Sequence, residues 1–106
     1  IGIPAVRRHH EEPLRRMAHH LDPAVYVGTA GLSEGVFRAL DDALERNELV
    51  KVRFVAWKDE REDLARELAE RLGALLVAVI GHVAVFYREA SDPERRRVII
   101  PYREEG

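Results

Sequence analysis

The sequence contains no cysteine, which removes disulfide frameworks, thiolate nucleophiles and thiolate-based metal sites from consideration. Long apolar runs are also missing. The longest, Ala74 to Ile80, falls far short of the ~20 residues a membrane-spanning helix needs. No signal-peptide pattern is visible. Together these absences suit a chain that works in the reducing cytoplasm, away from a membrane. Lysine is scarce, with two residues against fifteen arginines. Nor is there a strong excess of one charge. The formal net charge is −2, which argues against nonspecific nucleic-acid binding by the whole surface.

What is present suits one domain. The chain has 106 residues, 46% of them hydrophobic, enough for a single core without staples. Residues 1–12 lack periodicity and read as a flexible tail. Pro13 is placed to open a helix. Leu14, Met17, Ala18 and Leu21 then fall on one apolar stripe, which turns Arg15, Arg16, His19 and His20 outward. Asp22-Pro23 ends that helix. Residues 24–27 form a first strand. Residues 33–47 form a second helix with Ser33 as N-cap and Val36, Phe37, Leu40, Ala43 and Leu44 inward. Leu49 to Ala56 alternates as a second strand, with Lys51, Arg53 and Val55 on one face. Asp59 and Glu62 have the spacing of a capping box before a third helix, which Gly73 closes. Residues 75–80 and 83–88 are two strands joined by the hairpin signal Gly81-His82. Val98 to Tyr102 adds an edge strand. The expected domain therefore spans 13–102, with a short tail at 103–106. Its order, α-β-α-β-α-β-β, predicts an α/β (α+β) fold with one mixed sheet and packed helices.

The most informative local feature is the loop Gly28-Thr29-Ala30-Gly31, set between the first strand and the second helix. Glycines three apart allow a sharp turn and a close approach to a ligand. The loop then leads into a helix N-terminus, where free N–H groups and the dipole favour an anion. A G-x-x-G loop of this kind clamps a nucleic-acid backbone in the KH module. The basic side chains gather in the N-terminal third, whereas residues 32–73 hold eight basic and eleven acidic side chains. The wheel of the first helix thus predicts one basic surface, built from Arg15, Arg16, His19 and His20 beside the glycine loop and Lys51.

Four segments resemble one family. They are L-x-x-x-A-H-x-L-x-P at Leu14 to Pro23, V-G-x-x-G-L-(S/T)-E-G-V at Val27 to Val36, E-L-(V/I)-K-V at Glu48 to Val52, and V-I-G-x-x-x-V-x-Y-R at Val79 to Arg88. In that order and spacing they resemble the bacterial YhbY proteins, which are stand-alone CRM (chloroplast RNA splicing and ribosome maturation) domains. The resemblance covers roughly residues 14–88. It implies a fold like the C-terminal domain of bacterial translation initiation factor three. It also implies RNA binding, and association with precursors of the large ribosomal subunit. The family's loop maps onto Gly28, Thr29, Ala30 and Gly31, its basic helix onto Arg15, Arg16, His19 and His20, and its strand-two lysine onto Lys51. His82, after the hairpin glycine, and Arg88, at the end of the fourth segment, complete the RNA-binding candidates. The chain departs from the family at three places. Thr29 and Ala30 carry no charge, the region before Leu14 reads Arg-Arg-His-His-Glu-Glu-Pro, and His82 replaces a usual Lys or Arg. Each departure weakens a phosphate contact.

Other chemistry finds little support. Adjacent histidines on a helix diverge by about 100°, so His9-His10 and His19-His20 chelate poorly, and no metal-site motif accompanies them. Ser33 is explained as a helix cap and Ser91 as part of a turn, so no activated nucleophile is suggested. The sequence therefore predicts no enzyme, cofactor, metal or small-molecule substrate. Tyr26 and Trp57 could stack on bases but are expected to serve packing. The competing reading is a protein-interaction module of the same fold, whose acidic helices and neutral loop meet a protein in ribosome assembly or translation without strong RNA binding of its own.

Overall fold

The computed structural model describes residues 8–92 and residue 94. The expected edge strand at Val98 to Tyr102, the tail at 103–106 and most of the N-terminal tail lie outside these residues. In chain order the elements are α1 (Arg8–Ala18), β1 (Val25–Val27), α2 (Glu34–Asn47), β2 (Leu49–Phe54), α3 (Arg61–Leu72), β3 (Leu75–Ile80) and β4 (Val83–Tyr87). The four strands form one sheet in the order β1-β2-β4-β3. β1 and β2 run parallel, and β4 is antiparallel to both its neighbours. This is the α-β-α-β-α-β-β order with a mixed sheet that strand and helix alternation predicts.

Alternation along the strands gives the sheet two buried faces. On one, Leu40, Ala43 and Leu44 of α2 and Ala65, Leu68 and Ala69 of α3 cover Val50, Val52, Phe54, Ala84 and Phe86. On the other, Leu14 and Ala18 of α1 pack on Leu49, Val77, Val85 and Tyr87. The result is three layers, with a single helix on the second face.

Local chemistry explains most of the boundaries. The Ser33 hydroxyl accepts from the Val36 N–H at 3.3 Å and caps α2. Gly73 closes α3 in the left-handed region at φ 62°, where a Cβ is costly. Gly81 turns the β3–β4 hairpin at φ 59°. Four expectations need correction. α1 already covers Arg8 to Glu12, so Pro13 does not open it but lies inside it, where its ring removes one intrahelical donor and crowds the carbonyl a turn before. Met17 and Leu21, expected in the apolar stripe, stay more than a third exposed, since one helix does not reach across the whole sheet face. The N-cap of α3 is Glu60, and its side chain makes no cap hydrogen bond, so the expected capping box of Asp59 and Glu62 does not form. β2 stops at Phe54 rather than Ala56, because the backbone turns at Trp57, where φ is 65°.

Candidate nucleic-acid interface

Parallel pairing puts the carboxyl ends of β1 and β2 side by side, with Val27 opposite Phe54. The chain leaves β1 directly into the glycine loop, where the Gly31 N–H donates to the Gly28 carbonyl at 3.0 Å and closes the turn. Thr29 and Ala30 at its tip are exposed. A second donor reaches the same carbonyl, the indole Nε1–H of Trp57 at 2.9 Å. The indole also lies under Gly31, so that a Cβ on that glycine would sit 3.6 Å from the ring. Trp57 is thus the strap of the loop. It holds a left-handed backbone that a bulky residue rarely adopts, and its expected packing role is against the loop. Sequence reading does not place Trp57 in the loop because the two are 29 residues apart.

The two glycines differ. Gly31 has φ +75° and needs glycine for its conformation, whereas Gly28 is outside the left-handed region and a Cβ there would meet only Val55 Cγ2, at an ordinary 3.9 Å. The fold does not demand glycine at position 28.

The hairpin reaches the same end of the sheet, since Val83 pairs with Arg53 and the Phe54 N–H donates to the His82 carbonyl at 2.8 Å. Arg61 Nη1 stands 2.8 Å from His82 Nδ1. A guanidinium only donates, so His82 Nδ1 is the accepting atom in this contact. The cation at the hairpin is therefore Arg61, a residue the sequence reading leaves out, and His82 orients it.

The remaining candidates lie elsewhere. Arg15, Arg16, His19 and His20 are all exposed, but α1 ends at Ala18, so only the two arginines lie on the helix and the histidines sit in the turn that follows it. Arg15 and Arg16 each approach Glu12, at 3.8 and 3.9 Å, and contacts this long and exposed hold them weakly. Lys51 does not extend this surface freely. Its ammonium donates to the Leu21 carbonyl at 2.9 Å and reaches the His19 carbonyl at 3.5 Å, tying down the chain that leaves α1. Lys51 is level with Ala24, whose N–H bonds its carbonyl. Gly28 is four residues farther along, ~13 Å at the usual strand rise. The expected continuous surface of α1, Lys51 and loop is thus divided into two patches.

Arg88 is the plainest correction. It follows the Tyr87–Leu49 pair, at the opposite end of the sheet from the loop, and its side chain is only 15% exposed. The guanidinium meets Asp41 at 2.9 Å and Glu45 at 3.5 Å. It also donates to the carbonyls of Leu72 and Asp41. A guanidinium with its donors spent on four acceptors ties α2, α3 and β4 together and has little left for phosphate. Beside it, Glu48 is fully buried at φ 66° and accepts from the Ala90 N–H at 2.8 Å.

Comparison with known proteins fits this architecture. The model of the CRS1 / YhbY (CRM) domain matches residues 8–88. The chain belongs to this family. An RNA-binding protein of Haemophilus influenzae is 35% identical over 80 residues, which are 74% of this chain and 81% of that protein. A probable RNA-binding protein of Pseudomonas aeruginosa is 35% identical over 92 residues, 86% of this chain and 88% of its own length. The solution structure of a hypothetical protein from Staphylococcus aureus superposes with a TM-score of 0.73 at 32% identity, covering 89% of this chain and 99% of that one. The match covers all of α1 that the structure describes. Among the described residues, no helix is long and apolar enough to cross a membrane.

Proposed function

We propose that this CRM domain binds RNA, and that the Gly28–Gly31 loop holds a phosphate of the bound strand. The observation that carries the reading is the glycine at position 28. Its backbone conformation and open surroundings do not require glycine, so the missing Cβ is best explained by a ligand that approaches the main chain closely. The loop's exposed tip leads into the N-terminus of α2, whose dipole and first N–H groups, beyond the Val36 N–H that Ser33 caps, favour an anion there. Relatives named as RNA-binding proteins support RNA as the class of ligand. The exposed cations of α1 form a second, weaker contact region. The family resemblance points further, to ribosomal RNA during assembly of the large subunit. Crosslinking in cells followed by sequencing of the bound RNA tests that assignment, with enrichment of large-subunit precursor the expected result.

The loop itself is tested by replacing Thr29 and Ala30 together with Asp. Both side chains are exposed, and two carboxylates repel a phosphate and compete for its N–H donors. The double variant is expected to melt at the wild-type temperature or higher, since acids near a helix N-terminus are favourable, and to lose affinity for single-stranded RNA at low salt. Wild-type affinity in this variant would leave the loop as a plain turn. RNA binding would then lie elsewhere on the surface.

A further inference from the structure

On the face that α1 covers, the strand register forms rows that run across the sheet. Leu49, Tyr87 and Leu75 make one row, at the end where α1 sits. The row at the loop end runs Tyr26–Arg53–Val83–Ile80, one residue from each of the four strands. No helix among the described residues packs on it. Tyr26 is 57% and Ile80 55% exposed, and Val55, just beyond the row, is 61% exposed. Arg53 is exposed and makes no hydrogen bond or ion pair among the described residues. Large apolar side chains lined up on an uncovered sheet face mark a surface that meets something.

We infer that this row is a stacking platform for unpaired bases of the RNA strand whose phosphate the glycine loop holds. Tyr26 supplies an exposed ring to a base, and Arg53, its register neighbour on β2, stacks on the next base or reaches its phosphate. Two features favour a nucleic acid over a protein partner. The row carries at its centre Arg53, which pairs with no carboxylate among the described residues, although the chain as a whole is slightly acidic. It is also continuous with the loop. Tyr26 is two residues before Gly28, ~7 Å along the strand, and Val55 touches the space above Gly28. A phosphate at the loop thus leaves its base over Tyr26. Four strands at ~4.8 Å spacing make the row ~14 Å wide, enough for more than one base. Aromatic stacking on an open sheet is a general means of holding single-stranded RNA.

This inference rests on the loop reading, and the two can fail separately. Full-length protein is titrated with a labelled single-stranded RNA decamer over a range of salt. Inorganic polyphosphate, which has no bases, serves as a competing probe. Tyr26→Ala is expected to weaken RNA binding roughly ten- to hundredfold, the range for loss of one stacked base, with the salt slope and the polyphosphate affinity unchanged. Tyr26→Phe keeps the ring and should bind as wild type. Arg53→Ala should lower both affinity and the salt slope, by about 0.7 if one phosphate contact is lost. Both side chains are exposed, so melting temperatures of the three variants should stay near wild type. If Tyr26→Ala binds RNA as wild type while the Thr29, Ala30 double Asp variant does not, the platform is overturned and the loop stands. If wild-type protein fails to bind the decamer at low salt, both are overturned.

Discussion

Gly28 and Gly31 stand three residues apart in one turn, yet the backbone asks different things of them. An alanine at Gly31 must adopt φ +75° with its methyl against the Trp57 ring, and the left-handed conformation alone costs about 1–2 kcal/mol. Gly31→Ala should therefore lower the melting temperature measurably. Gly28→Ala should change stability by less than about 0.5 kcal/mol while weakening RNA binding, because only the ligand meets the new methyl. A melt and a titration of each variant separate the two roles. Arg88 gives the opposite pattern. Arg88→Ala removes the ion pairs to Asp41 and Glu45 and leaves the Leu72 and Asp41 carbonyls without this donor, and a loss of roughly 1–2 kcal/mol is expected, with RNA affinity unaltered at a temperature where the variant is folded. A sequence shows an arginine but not its acceptors. The Leu72 and Asp41 carbonyls that Arg88 meets are 16 and 47 residues away. The bond from Ala90 to buried Glu48 spans 42 residues, so neither residue announces its structural role. Ser33, Gly73 and Gly81 are legible in the sequence because their partners lie within a turn of them.

α1 is the element whose placement decides the most. Its inner stripe is short, with Leu14 and Ala18 buried, and no other helix among the described residues covers the loop end of the second sheet face. Helical periodicity reveals the stripe but not how far the helix extends over a sheet, so an exposed Tyr26 cannot be foreseen from the pattern Val25-Tyr26-Val27. The start of α1 is equally hard to read, because Pro13 is as acceptable at a helix start as it is tolerable in a second turn. Pro13 also removes the hydrogen bond that would tie its own N–H to the preceding turn. The first-turn amides, Arg8 to Glu11, have no carbonyl a turn earlier in α1 to donate to, and they should exchange with solvent far faster than that of Ala18, which lies in the last turn over a buried stripe. Hydrogen exchange read by mass spectrometry or NMR checks this. Equal protection along the whole of α1 would mean that contacts beyond the apolar stripe hold its first turn.

At the scale of the whole molecule, charge is divided by location. The acidic side chains concentrate on the outer surfaces of α2 and α3, where Arg66 and Arg71 pair with Glu62, Asp63 and Glu67 at 3.3–3.7 Å. The other sheet face carries Arg53 and the cations of α1. Three to five phosphate contacts on that side give a slope of log K against log salt of roughly −2 to −3.5 for a single strand. A flat dependence would place the affinity in stacking or in a protein partner. The strap beneath the loop has a spectroscopic consequence. The chain contains one tryptophan, and its indole Nε1–H is committed to the Gly28 carbonyl. Indole emission responds to the polarity around the ring and to that hydrogen bond, so all tryptophan fluorescence of this protein originates at the glycine loop. An unlabelled sample therefore reports on its own binding loop. Occupancy should shift or quench that emission in the wild type, and the Thr29, Ala30 double Asp variant should remain silent under the same additions.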